Sequence, residues 1–135
     1  MPNTVENNAI NFATEYLQKH GYEVTNVSRG KRPGSEHRGY YLLAHKPGED
    51  PIKIEVKGCT REWGIPDPYG TEFDAEKRLI ADFLYVVYFL DGAPAQLCAI
   101  PRAALEPEYV VPKSGYRISS RFKNKKSLEP YLRPL

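Results

Sequence analysis

The segment Ile52-Lys53-Ile54-Glu55-Val56-Lys57-Gly58 alternates apolar and charged residues without a break. A period of two marks a β-strand, because successive side chains leave opposite faces of the pleat. Ile52, Ile54 and Val56 therefore share one face, and Lys53, Glu55 and Lys57 share the other. The apolar face needs a core to cover it, so the chain must build a sheet with something packed against it. On the charged face Glu55 and Lys57 are neighbours, their side-chain bases roughly 7 Å apart, and they are expected to share one solvent-reachable pocket there. A carboxylate can hold a hard divalent cation, and an ammonium beside it can orient a water or steady a phosphate that is gaining charge. An exposed ion pair on an edge strand has the same sequence, so the tripeptide alone leaves both readings open.

Length and composition narrow the surroundings of this strand. The chain has 135 residues, 41% hydrophobic and 27% charged. That predicts one domain with a real core and the balance of an ordinary soluble globular protein. The longest apolar run, 83–90, is a strand length and falls short of the roughly 18–20 residues that span a membrane. No signal-peptide pattern opens the chain. A cytoplasmic protein with no membrane partner is the resulting expectation. Cys59 and Cys98 are too few and too isolated for a zinc site or a disulfide framework, and read as small core hydrophobes. The net charge is only +2, so affinity for nucleic acid has to come from local patches.

The remaining elements follow from periodicity and turn chemistry. Residues 4–20 read as a helix, with Asn3 as cap, Glu6 as a capping-box partner, a stripe of Ala9, Ala13, Tyr16 and Leu17, and Gly21 as the stop. Residues 22–28 and 40–45 read as strands separated by a Gly- and Arg/Lys-rich loop. The turn 46–51 folds the second of these strands back on 52–59 as an antiparallel hairpin. A loop over 60–70 precedes a helix capped by Thr71 or Asp74 and running to about Ala81. The run 83–90 is apolar enough for a central strand covered on both faces. Asp91-Gly92 turns it into a further strand over 96–100, and an irregular tail follows Pro101. The prediction is an α/β fold with a mixed β-sheet flanked by helices, one domain over 1–135, its core at about 4–105 and a basic C-terminal extension over 106–135.

This order, with Glu55-Val56-Lys57 on the third strand, resembles the restriction-endonuclease-like superfamily, the PD-(D/E)XK nucleases. Within it the chain looks most like domains named after the C-terminal part of the plant NO VEIN protein. His20-Gly21-Tyr22, Gly39-Tyr40-Tyr41-Leu42, Ile54-Glu55-Val56-Lys57-Gly58, and the run from Phe73 and Glu76 into Tyr85-Val86-Val87 carry the likeness, which covers about residues 4–105. It implies a Mg²⁺-dependent phosphodiesterase acting on DNA, with Glu55 and Val56 at the metal and Lys57 at the reacting water or phosphate. One departure stands out. The superfamily places a metal-binding Asp on the second strand, where this chain has Tyr41, and a phenol is a poor ligand for a hard cation. Glu36 on the basic loop and Glu6 on the first helix are the candidate replacements; Asp50 lies in the hairpin turn, at the wrong end of the strand. Glu6 has a second reading as the helix cap. A catalytically silent domain that binds nucleic acid or a protein partner is the alternative function.

Two basic clusters are the candidate nucleic-acid contacts. Arg29, Lys31, Arg32 and Arg38 lie on the loop before the second strand. Arg121, Lys123, Lys125 and Lys126 lie near the C-terminus beside Tyr116 and Phe122. Lys and Arg reach phosphates and aromatics stack on unpaired bases, while most charge runs are simply solvated. Trp63, in a Pro/Gly loop, reads as a pin that holds the loop to the core, with a stacking wedge for a base as the second reading. A homodimer stays open.

Overall fold

The structure, a computed structural model, describes residues 4–27, 40–61, 63–66, 76, 78–105, 109–110, 117–118 and 125–135. Helix α1 spans Thr4–Lys19. Its stripe of Ala9, Ile10, Ala13 and Leu17 is buried, the i, i+4 spacing that puts one face of a helix against a sheet. The helix ends as its glycine requires. Gly21 takes φ +90°, its N–H bonds the Gln18 carbonyl at 3.1 Å, and the Tyr22 N–H bonds the Leu17 carbonyl at 3.1 Å. This crossed pair is the Schellman motif, with glycine in the left-handed position.

The strands are β1 (Glu23–Asn26), β2 (Leu42–His45), β3 (Ile52–Cys59), β4 (Phe83–Leu90), β5 (Ala93–Pro101), β6 (Tyr109–Val110), β7 (Arg117–Ile118) and β8 (Leu132–Arg133). Among the described residues, six form one sheet in the order β1-β2-β3-β4-β5-β8, and β6 pairs with β7 apart from it. The predicted hairpin is present: β2 and β3 are antiparallel, with Leu42 opposite Ile54. β3 and β4 are parallel, with Glu55 opposite Leu84 and Lys57 opposite Val86. β4 returns antiparallel into β5 through Asp91 and Gly92, whose φ values of +53° and +81° suit a tight hairpin turn. The sheet is thus mixed, with β3 and β4 inside it.

Each face of the sheet has its own core. Ile54, Val56, Val87 and Leu97 meet α1 on one side with Leu42 and Ala44. On the other, Cys59, Leu84, Val86, Tyr88, Cys98 and Ile100 meet Ile65, Leu79, Leu105 and Leu128. Cys59 and Cys98 are buried and unbridged, as small hydrophobes would be. Gly58 marks the closest approach of α1. A Cβ there would lie 2.7 Å from Val5 Cγ1 and 2.8 Å from the Val5 carbonyl oxygen.

Three expectations change. The helix expected to reach Ala81 does not do so. Residues 67–75 lie outside the described set, but 78–82 are not helical and Leu79 is buried beneath the sheet. Asp82 explains the local path. Its carboxylate accepts the Lys53 N–H at 2.9 Å, its N–H bonds the Lys53 carbonyl at 2.8 Å, and its own carbonyl accepts the Arg102 N–H at 2.9 Å. That clamp needs extended backbone where β3, β4 and helix α2 (Arg102–Leu105) begin. The strands over 22–28 and 40–45 are shorter than expected, with Tyr41 at a bend ahead of β2. Described residues after 105 also join the fold. Helix α3 (Lys125–Leu128) buries Leu128 in the second core, and β8 adds a sixth strand beside Leu97 and Cys98. Among the described residues no helix is long and apolar enough to cross a membrane.

Candidate functional site

β3 carries the two residues that the sequence singles out. The alternation holds, since Ile54 and Val56 face α1 while Glu55 and Lys57 share a face with Leu84, Val86 and Cys59. The expectation of an open polar face does not hold. Glu55 is 3% exposed and Lys57 is 6% exposed. The reason is topological: β3 has a strand on each side, and the second core covers the face opposite α1. Lys53, nearer the start of the strand, is exposed. Among the described residues Glu55 and Lys57 are the buried charged residues. Both take part in hydrogen bonding or electrostatic interaction, and Glu55 Oε1 is buried without a hydrogen-bond partner among the described residues.

Glu6 and Tyr41 are brought together. The Tyr41 hydroxyl donates a hydrogen bond to Glu6 Oε1. The backbone shows how Tyr41 reaches α1. Its N–H bonds the carbonyl of Ile54, the residue that Leu42 also opposes, at 2.9 Å. Two residues facing one is the pattern of a β-bulge, which breaks strict alternation. Tyr41 consequently packs with Leu42 on the α1 side. Glu6 thus serves Tyr41, at the bend ahead of β2, which its reading as a cap did not foresee.

This arrangement decides how far magnesium fits. The described oxygen donors near the motif are the Glu55 carboxylate, the Val56 carbonyl and the Glu6 carboxylate. By strand register Glu6 lies on the α1 side of the sheet and Glu55 on the other, so Glu6 does not replace the missing Asp beside Glu55. Among the described residues no three His, Cys, Asp or Glu side chains converge as a metal site. The described donors therefore do not complete a site for Mg²⁺, which favours several oxygen ligands in near-octahedral geometry.

The other candidates divide by location. Glu36, Arg29, Lys31, Arg32, Arg38, Arg121 and Lys123 lie outside the described residues. Lys125 and Lys126 are exposed on α3. Glu76 is exposed in a turn. Trp63 packs against Tyr88, ring centroids 5.7 Å apart, and the Tyr88 hydroxyl donates to the Gly64 carbonyl at 2.6 Å, so the loop is pinned as expected. Burial raises the Tyr88 phenol far above its ordinary value, with the Cys98 and Cys59 thiols adding to the effect.

The Asp82 clamp and the bulge at Tyr41 were missed in the sequence. Asp82 stands directly before an apolar strand, which is a signal for a turn but does not name its partner. No protein-family model matches this chain, and no curated protein sequence matches it.

Proposed function

We propose that this chain is a nuclease-like domain of restriction-endonuclease-like architecture that acts on or binds nucleic acid, with Glu55 and Lys57 as its site. The observation that supports the reading is the placement of a carboxylate and an ammonium on one face of an interior strand; their burial, which closes that face to solvent, counts against a live site there. Taking a carboxylate and an ammonium out of water costs several kcal/mol per ion, and an apolar pair of similar volume commonly holds a fold as well or better. Phosphodiester chemistry has a use for such a pair, since an ammonium neutralises phosphate charge and a carboxylate is a hard-cation donor. Magnesium-dependent cleavage requires at least one further acid from outside the described residues, and Glu36 is the candidate in the sequence. One observation favours the second reading, a catalytically silent nucleic-acid-binding or protein-interaction domain. At the position where the resemblance places the metal-binding Asp, Tyr41 instead occupies Glu6.

One experiment separates the two. Plasmid and oligonucleotide cleavage is followed with Mg²⁺ or Mn²⁺ for the parent and Glu55→Gln, alongside melting with and without the ion. Divalent-dependent cleavage that vanishes in Glu55→Gln supports the enzyme. Binding with neither cleavage nor an ion-dependent melting shift supports the silent module. If neither single- nor double-stranded nucleic acid binds at low salt, the nucleic-acid reading fails.

A further inference from the structure

The carboxyl ends of the parallel strands open on a cleft. β3 and β4 run side by side to the same edge of the sheet. Thr60 and Arg61 follow β3 there, and Tyr88 and Leu90 lie at the end of β4. β5 returns antiparallel with Gln96 opposite Tyr88 and Pro94 opposite Phe89, so Ala95 is an extra residue. It forms a β-bulge, a device that re-aims side chains at the end of a sheet. Thr60, Arg61, Tyr88, Leu90, Ala95 and Gln96 line one cavity of about 480 Å³. That volume lies in the range of small-molecule sites. The carboxyl ends of parallel strands are also where open α/β sheets bind their ligands.

Contacts beneath the cleft hold its walls. Tyr88 is buried, Trp63 packs on its ring and its hydroxyl donates to the Gly64 carbonyl. The Arg61 guanidinium lies along the same glycine, since a Cβ on Gly64 would sit 3.8 Å from Arg61 Nη2. The Cys59 thiol donates to the Arg61 carbonyl at 3.7 Å, which ties the backbone there to the core. One wall therefore presents a guanidinium and the Thr60 hydroxyl, and the other presents the Gln96 carboxamide. Between them the surface is apolar. Leu90 is 68% exposed, one of two large apolar side chains left exposed among the described residues. Among the described residues lining the cleft, Arg61 carries the charge. Thr60 and Gln96 belong to the chain segments on either side of β4, so the walls stand two strand spacings apart, about 10 Å. A nucleoside monophosphate has this layout. Its phosphate suits the guanidinium fork and the hydroxyl. Its ring covers Leu90 and Ala95. Its base edge offers the paired donor and acceptor that a glutamine amide matches, adenine best. A simple apolar carboxylate would serve Arg61 and leave Gln96 unused.

We propose that the cleft between Arg61 and Gln96 binds a nucleoside monophosphate unit. A free nucleotide and the 5′-phosphorylated end of a single strand present the same chemistry here. The site shares no residue with Glu55 and Lys57 and does not depend on the reading of that pair.

The test uses the full chain and the variants Arg61→Gln, Gln96→Leu and Lys19→Gln. The first removes the charge from an exposed side chain, and the second removes the amide at similar volume. Lys19 is exposed at the end of α1, so the third removes the same charge elsewhere. AMP and a short 5′-phosphorylated oligoadenylate are titrated at low salt. Binding is read by calorimetry and by the fluorescence of Trp63, the single tryptophan, which packs on Tyr88 beneath the cleft. The parent is expected to bind at least one probe. Arg61→Gln should weaken that binding about tenfold or more, the usual scale of a hydrogen bond to a charged group. Gln96→Leu should weaken it as well, both with the melting temperature preserved, and Lys19→Gln should bind like the parent. AMP binding alone identifies a free-nucleotide pocket, oligoadenylate binding alone a strand-end site, and binding of both a unit recognised in either setting. AMP binding without any nucleic-acid binding keeps this proposal and removes the nucleic-acid reading of the domain. The proposal is overturned if the parent binds neither probe, if Arg61→Gln or Gln96→Leu binds as tightly as the parent, or if Lys19→Gln loses as much as Arg61→Gln.

Discussion

The Tyr41 hydroxyl donates to Glu6 Oε1 across the gap between β2 and α1. The pair joins the residue standing where the resemblance calls for a metal-binding Asp to the helix acid that was a candidate to replace that Asp. It also ties the first turn of α1 to the start of the β2–β3 hairpin, near the close approach of Val5 to Gly58. The hydrogen bond thereby anchors the first turn of the helix to the hairpin.

Tyr41→Phe tests the anchor. The ring stays and the donor is gone, leaving a half-buried carboxylate short of one hydrogen bond. The expected loss is about 1–3 kcal/mol, the range for a bond to a charged group, read as a lower denaturant midpoint with an unchanged slope. Tyr41→Asp tests the metal side. Two carboxylates then face each other beside α1, so the variant should melt below Tyr41→Phe in EDTA and recover in part with Mg²⁺. No recovery with the ion would mean that position 41 lies outside any cation site.

Gly58 is where α1 presses hardest on β3. Gly58→Ala puts a methyl 2.7 Å from Val5 Cγ1 and 2.8 Å from the Val5 carbonyl oxygen. A side chain can swing aside, but a backbone carbonyl moves only with its helix. We expect a loss of about 1–3 kcal/mol, typical of overpacking. Adding Val5→Ala should recover only part of it, because that change removes the Cγ1 clash and keeps the carbonyl. Equilibrium unfolding of the two single variants and the double variant measures both. Full recovery would show that the helix yields more easily than its close approach implies.

Alkaline pH should unfold the protein through its buried acids. Burial pushes the Cys98 thiol up from 9.0 to about 11 and the Tyr85 phenol from 10.0 to about 12, and it raises Tyr88 as well. In each case the folded state holds its proton more tightly than the unfolded chain does. The unfolded state then binds fewer protons above its own pKa, and stability falls as pH rises. The contribution is intact below about pH 9, where all three groups are protonated in both states. It disappears from about 9 upward through 11 and 12, thiol first and phenols after. Urea midpoints measured across this range should fall continuously, and Cys98→Ala should flatten the early part of the fall. A flat profile in the parent up to pH 11 would contradict the assignment.

How much of this was legible depended on whether the information was local. Gly21 stopping α1, Asp91-Gly92 turning β4 into β5, and the alternation along β3 are properties of neighbouring residues, and each forms as read. The burial of Glu55 and Lys57 was not legible, because a strand's sequence does not say what covers its second face. Ile65, Leu79, Leu105 and Leu128, which build that core, come from loops and short helices with no periodic signal. The bulge at Tyr41 was hidden for a similar reason: alternation assigns one face per residue, and an extra residue shifts the count without leaving a mark in composition. β8 is two residues long, and pairing with β5 rather than propensity makes it a strand.

Glu55 and Lys57 offer the sharpest separation of stability from function. If each helps the other to remain charged in the core, removing one strands its partner. Lys57→Met alone should therefore destabilise the fold by about 3–5 kcal/mol, and Glu55→Gln alone should also be costly. The double variant Glu55→Gln/Lys57→Met leaves no buried ionic group at these positions and fills a similar volume, so its loss should be well below the sum of the two, with a coupling of about 0.5–3 kcal/mol. Strict additivity would show that the two charges are served by different partners. A folded double variant is then the proper control for function. Nucleic-acid binding carried by surface cations such as Lys125 and Lys126 should survive in it, whereas any divalent-dependent cleavage should be gone. Lys125→Ala/Lys126→Ala should do the reverse, weakening binding on every sequence and lowering the salt slope by about one for each phosphate that a lysine no longer neutralises.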